Sequence, residues 1–110
     1  MIQSWCPHIA GDIMALDLAG EVVGVVAYRG EGSTCYITAV VVRPDKRGLG
    51  LGSEGVRLLE EYCASRGIVT FYAQVPLDGG LAFYFWLRLG YRPLGVVEGS
   101  MLMGRQERRE

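Results

Sequence analysis

The chain has 110 residues, half of them hydrophobic, with 11 basic and 12 acidic side chains and a formal net charge of −1. That length suits one domain, and the charge balance supplies no global field for nucleic acid or an anionic membrane. Three widely spaced cysteines, Cys6, Cys35 and Cys63, argue against a disulfide framework or a zinc site and suit free thiols in a reducing cytosol.

The N-terminus MIQSWCPHIAGD has no basic stretch followed by an apolar core, so no signal peptide is expected and the expected location is cytoplasmic. No apolar run approaches the roughly 20 residues that span a bilayer. Residues 1–11 read as an N-terminal extension. Residues 13–18 (IMALDL) and 21–28 (EVVGVVAY) are partly alternating apolar runs separated by Ala19 and Gly20, which predicts a β-hairpin. Residues 30–33 (GEGS) form a turn, and 35–42 (CYITAVVV) are rich in β-branched side chains, so a third strand completes an antiparallel meander.

The period changes to that of a helix over 53–66. Val56, Leu59 and Cys63 form its stripe, Leu58 and Tyr62 widen it, and Glu54, Arg57, Glu60 and Glu61 face solvent. Gly67 closes the helix. Residues 68–75 (IVTFYAQV) predict a strand, 81–89 (LAFYFWLRL) a short helix between Gly80 and Gly90, and 91–97 and 100–104 two final strands. Residues 105–110 are expected to be a frayed charged tail. The fold class is α+β: order β-β-β-α-β-α-β-β, a mixed, mostly antiparallel sheet flanked by two helices. The strand–helix–strand crossover makes strands 35–42 and 68–75 parallel neighbours.

The stretch VVVRPDKRGLGLGSEG at 40–55 joins a strand to a helix N-terminus through alternating glycines. First-turn amides lack intrahelical acceptors and the helix dipole adds partial positive charge, so an anion such as a pyrophosphate fits there. Arg43, Lys46 and Arg47 add charge at the rim. Gly50, Gly52 and Gly55 satisfy G-x-G-x-x-G, but the dinucleotide reading fails. Residues 43–47 separate the strand from the first glycine, the acidic residue wanted about 20 positions on is missing, and the leading strands are antiparallel. No Gly-Lys-Ser/Thr follows, so the Walker pattern fails too.

Two segments carry a resemblance. Arg47-Gly-Leu-Gly50-Leu-Gly52 resembles the R/Q-x-x-G-x-G/A signature of the GNAT superfamily of acyl-CoA-dependent N-acyltransferases. Ala82-Phe-Tyr-Phe-Trp86-Leu-Arg-Leu-Gly90-Tyr91 resembles its A-x-x-x-Y-x-x-x-G-F segment, in the right order and with the right elements between. The resemblance implies a GNAT-like fold that binds acetyl-CoA, needs no metal, and transfers the acyl group to a small-molecule or peptide amine by direct attack. It puts the pyrophosphate on Gly48, Leu49, Gly50, Leu51, Gly52 and Ser53, with Arg47 beside it. The pantetheine arm would run along Val40, Val41 and Val42 as an added strand, between strands that splay apart. A backbone amide near Val42 would polarise the thioester carbonyl, a donor worth roughly 3 to 4 kcal/mol in such sites.

The sequence departs from the family at several places. The tyrosine that usually protonates the leaving thiolate is replaced by Trp86, whose indole N–H can donate a hydrogen bond but not a proton. Trp86 is then a cofactor contact, and Tyr84 is the alternative acid, although two residues along a helix point it elsewhere. Candidate bases are Asp78, Glu98, Tyr36 and His8, or water alone. Gly79 stands where the family often has asparagine, and Tyr36 where some members carry a glutamate. About a dozen residues precede the first hairpin, so the resemblance implies an open acceptor cleft, which a second subunit of a homodimer would complete. The same departures support an alternative, a non-catalytic acyl-CoA sensor or interaction module.

Overall fold

Alternating apolar residues after Asp12 pair three strands before any helix forms. The computed structural model describes residues 11–106; Cys6, His8, the extension before Gly11 and the last four residues lie outside the described residues. The elements are β1 (Asp12–Leu18), β2 (Glu21–Glu31), β3 (Thr34–Val42), a single 3-10 turn (Pro44–Lys46), α1 (Leu51–Ala64), β4 (Thr70–Pro76), α2 (Gly80–Arg88), β5 (Arg92–Val97) and β6 (Ser100–Gln106). This is the expected order. The six strands form one sheet, β1-β2-β3-β4-β6-β5. Only β3 and β4 pair in parallel, as the crossover through α1 requires.

One face of the sheet carries the core. Alternate residues Val26, Cys35, Ile37, Phe71, Ala73, Val75 and Met103 meet Val56, Leu59 and Cys63 of α1 and Trp86 and Leu89 of α2 in a single buried cluster. Both helices therefore cover the same face. Cys35 and Cys63 are buried free thiols, and burial pushes the Cys35 thiol up to about 12, so it stays protonated.

Three details correct the sequence reading. Glu60, expected to face solvent, is 7% exposed; it accepts a hydrogen bond from the Tyr91 hydroxyl at 2.6 Å and pairs with the Arg105 guanidinium at 3.0 Å. It sits one residue after Leu59 and four after Val56, at the edge of the apolar stripe, and its partners arrive from distant sequence. Leu58 and Tyr62, expected to widen that stripe, are exposed instead, because the buried face turns toward Glu60. Arg105 and Gln106, expected in a frayed tail, close β6 by pairing with Phe71 and Thr70.

Tyr91 also packs edge-on against Trp86, with ring centroids 4.8 Å apart. Burial, and then the Glu60 carboxylate, raise its hydroxyl pKa well above the ordinary value. A raised folded-state pKa means the stabilisation is complete below the unfolded value near 10 and is lost as pH rises above it. Tyr91→Phe is predicted to cost about 1.5 to 3 kcal/mol at pH 7, measured by urea denaturation. The variant should also show a shallower loss of stability above pH 10 than the parent.

Candidate functional site

The parallel pairing of β3 and β4 runs only from Thr34↔Thr70 to Ile37↔Ala73. Beyond it β4 continues on β6 as far as Pro76↔Ser100, while β3 continues on β2. The cause is local. Tyr28 faces Ile37 and Ala27 faces Ala39, so Thr38 is an extra residue on β3. Such a bulge bends its strand away from its neighbour. The result is the splay expected of these strands.

A cleft of about 680 Å³ occupies the opening. Ile37, Thr38, Ala39, Val40, Val41 and Val42 form one wall, and Gln74 with Leu81, Ala82, Phe85 and Trp86 of α2 forms the other. Lys46, Arg47, Gly48 and Gly50, then Leu51, Gly52 and Ser53 of α1, close one end.

The loop at that end is braced from within. Arg43 holds Asp45 through Nε–Oδ1 at 2.6 Å and Nη2–Oδ2 at 3.1 Å, and its amide donates to Val23 O at 2.8 Å. Arg47 Nε donates to Val42 O at 3.0 Å. Of the three expected rim cations, Arg43 is thus engaged by Asp45 and Glu21, Arg47 ties the loop to β3, and Lys46 faces the cleft. Gly48 and Gly50 have φ of 84° and 78°, the left-handed region, with open space where a Cβ would sit. Backbone conformation, not crowding, requires glycine there. Gly52 differs: its Cβ would lie 3.4 Å from Phe85 Cε1 and 3.5 Å from Val40 Cγ1, inside the cleft.

The first bond of α1 runs from Glu54 N–H to Gly50 O at 3.1 Å. The N–H groups of Leu51, Gly52 and Ser53 therefore have no intrahelical acceptor, and no side chain caps the helix. Free amides at a helix N-terminus, beside glycines and in a cleft that Lys46 also lines, suit an anionic group.

Most of the residues expected at the site converge. Leu49 does not line the cleft and is 65% exposed. Trp86 lines it while 7% exposed, edge-on to Phe85 at 5.1 Å, so it belongs to both core and cleft. Tyr84 is 61% exposed and off the cleft, because two residues turn it about 200° around α2 from Trp86. Asp78 and Glu98 line no cleft, Tyr36 lines a smaller hollow on the other face, and His8 lies outside the described residues. The sequence reading missed Thr38, Gln74 and Phe85. Helical spacing of Leu81, Ala82, Phe85 and Trp86 could have found Phe85; Gln74 is the one amide in the strand IVTFYAQV. Among the described residues lining the cleft, the only titratable side chains are Lys46 and Arg47. Among the described residues no group of three or more His, Cys, Asp or Glu could hold a metal ion, and no helix is long and apolar enough to cross a membrane.

The family model of the Acetyltransferase (GNAT) family matches residues 3–91. The chain belongs to the GNAT family. It is 36% identical over 93 residues, 83% of its length, to "Probable N-acetyltransferase 14" of Danio rerio. It spans only 33% of the length of that relative. Among solved structures, PaiA N-acetyltransferase from Thermoplasma acidophilum in complex with coenzyme A superposes with a TM-score of 0.79 at 13% identity, covering 86% of this chain and 61% of that one. A GNAT family acetyltransferase from Elizabethkingia anophelis with acetyl-CoA bound gives 0.78 at 11% identity, covering 87% and 76%. At such identities the likeness is one of fold.

The two kinds of glycine in this GNAT loop are separable by experiment. Gly50→Ala is expected to cost about 1 to 2 kcal/mol, the strain of a left-handed residue with a Cβ. Gly52→Ala, with ordinary helical backbone and ordinary contacts, is expected to stay within about 1 kcal/mol of the parent. Urea denaturation of both variants checks the contrast.

Proposed function

We propose that the chain binds an acyl-coenzyme A in this cleft, acetyl-CoA in the simplest case, and transfers the acyl group to a primary amine. The observation that carries the reading is the continuity of a free backbone edge on β3 with a glycine loop and an uncapped helix N-terminus, in a chain of the GNAT family. Acetyl-CoA supplies a thioester whose acyl carbon is open to attack by an amine. The amides of Leu51, Gly52 and Ser53, with Gly48, Gly50 and Lys46, would hold the pyrophosphate. The edge of β3 at Val40, Val41 and Val42 would pair with the pantetheine arm. Val42 O already accepts from Arg47, so the Val42 end belongs to the loop, and the reacting end belongs at the apex near Thr38 and Gln74. This reading takes a backbone amide at the bulge, in place of one near Val42, as the group that would polarise the thioester carbonyl.

Cleft-lining Lys46 and Arg47 sit at the loop end, and Trp86 holds no transferable proton. The residues then act by positioning and by excluding water, with the amine entering neutral and the sulfur leaving as thiolate. A thiol pKa near 8.5 makes that tolerable. The working form we take to be a cytoplasmic homodimer, supported by the edge strand β5, which exposes Leu94, Val96 and Val97. A second reading, an acyl-CoA sensor, draws on the same scarcity of acid–base groups.

Acetyl-CoA at 100 times its dissociation constant should add about 2.7 kcal/mol of stability, on the order of 10 °C in Tm for a domain of this size. Gly50→Glu should abolish the shift by placing a carboxylate against the pyrophosphate. Absence of a shift with any acyl-CoA at millimolar concentration overturns the reading. Release of free thiol with an amine panel separates transferase from sensor. The pH profile of kcat/KM should rise with the acceptor's own ionisation, without a falling limb below about pH 9, because no enzyme acid is used.

A further inference from the structure

A second hollow of about 230 Å³ opens on the sheet face turned away from the helices. Ile37, Thr38 and Gln74 line both it and the larger cleft, so the two meet at the apex of the splay. A molecule in the hollow can therefore reach the reacting end of an acyl donor in the cleft. Its volume is that of roughly eight waters, enough for a small amine but not for coenzyme A.

The chemistry of this hollow is graded along the strands. Thr38, Gln74 and Leu102 lie at the apex. Arg29, Tyr36 and Tyr72 form a row across β2, β3 and β4, paired as Arg29↔Tyr36 and Tyr36↔Tyr72. Two residues along a strand place that row roughly 6 to 7 Å from the apex. The two tyrosine rings are 5.5 Å apart and tilted by 31°, and the Arg29 guanidinium lies 4.7 Å from the Tyr36 ring centroid. Stacking on a ring fixes the guanidinium plane and leaves its N–H edge for a planar anion. Arg29 is the only charged side chain lining the hollow among the described residues. Its ion-pair partner there is Glu31 at 3.2 Å, with both side chains exposed. Exposed pairs of this kind contribute little, so Glu31 gives way readily to another carboxylate.

We propose that this hollow is the acceptor subsite and that it selects primary amines carrying a carboxylate at the far end of a short apolar spacer. The amine sits at the apex by Thr38 and Gln74, the spacer lies along the Tyr36–Tyr72 pair, and the carboxylate meets Arg29. Diamines and polyamines are disfavoured, since their second ammonium would face Arg29. The inference rests on the acyl-transfer reading for its reaction. The amine nitrogen bonds to the acyl carbon, the C–S bond breaks with its electron pair on sulfur, and the amine proton passes to water.

Three matched acceptors test it: 5-aminopentanoate, 5-aminopentanamide and 1,5-diaminopentane. Each is titrated by calorimetry into protein saturated with coenzyme A, and each is assayed for thiol release from acetyl-CoA. The carboxylate should bind about tenfold or more tighter than the amide, the gain expected of one charge-assisted pair, and the diamine weakest. Arg29→Met, which keeps the stem and removes the charge, should bring the carboxylate-to-amide ratio to about one, and Arg29→Lys should restore part of it. The acetyl-CoA thermal shift should be the same in all variants. Equal binding of carboxylate and amide, a preference indifferent to Arg29, or no binding of any of the three overturns the inference. Arg29-dependent carboxylate binding without thiol release upholds the subsite and overturns the transferase reading. Thiol release at equal rates from all three does the reverse.

Discussion

A single extra residue on β3, Thr38, separates the part of the sheet that closes from the part that opens. Before it, β3 and β4 share a parallel ladder; after it, each strand keeps only its outer neighbour. A bulge costs ladder hydrogen bonds and leaves backbone groups that need other partners. Here the freed edge of β3 becomes a wall of the candidate site, because Ile37 to Val42 line the cleft. Remove the bulge, and the two strands could zip together with no cleft between them.

An open sheet must be held open by contacts outside the opening. The β3 arm is fixed by β2 and by α1, which approaches closely at Gly55: a Cβ there would lie 2.9 Å from Leu16 Cδ1 and 3.0 Å from Val26 Cγ2. The β4 arm is fixed by β6 and by α2, whose Trp86 packs on Tyr91. Glu60 joins the two arms, taking the Tyr91 hydroxyl and the Arg105 guanidinium onto α1. A buried carboxylate with two such partners is satisfied, whereas losing either leaves it costly. At the loop end the Arg43 amide bonds to Val23 O and the Arg47 side chain to Val42 O, which holds the turn to the strands.

Much of this was legible in the sequence, because it depends on local pattern. Alternation along β1 to β3, the helical stripe of Val56, Leu59 and Cys63, and glycine spacing after Arg47 are each written within a few residues. The same holds for Gly48 and Gly50, whose positive φ glycine adopts without the strain that a Cβ brings. What was not legible depends on distant partners. Glu60 looked like a solvated charge because Tyr91 and Arg105 are invisible to a helical period. Arg105 and Gln106 looked like tail because their ladder partners, Phe71 and Thr70, are far away in sequence. Gln74 lines the cleft only because the splay leaves β4 facing β3 across it.

The distribution of charged and aromatic groups differs between the two faces of the opening. Apart from Lys46 and Arg47 at one end, the larger cleft is walled by backbone, glycine, aliphatic and aromatic groups, with Thr38, Ser53 and Gln74. Such a wall can orient a bound molecule and exclude water, and on the proposed reading it would leave proton transfer to the reactants and solvent. Effective positioning alone can remove several kcal/mol from a barrier when reacting atoms are held near 3 to 3.5 Å. On the acyl-transfer reading proposed above, discrimination between acceptors would fall to the opposite face, where Arg29, Tyr36 and Tyr72 supply a charge and flat surfaces. On that reading one bulge would set both the path for a donor and the point at which an acceptor meets it, since Thr38 lines both hollows.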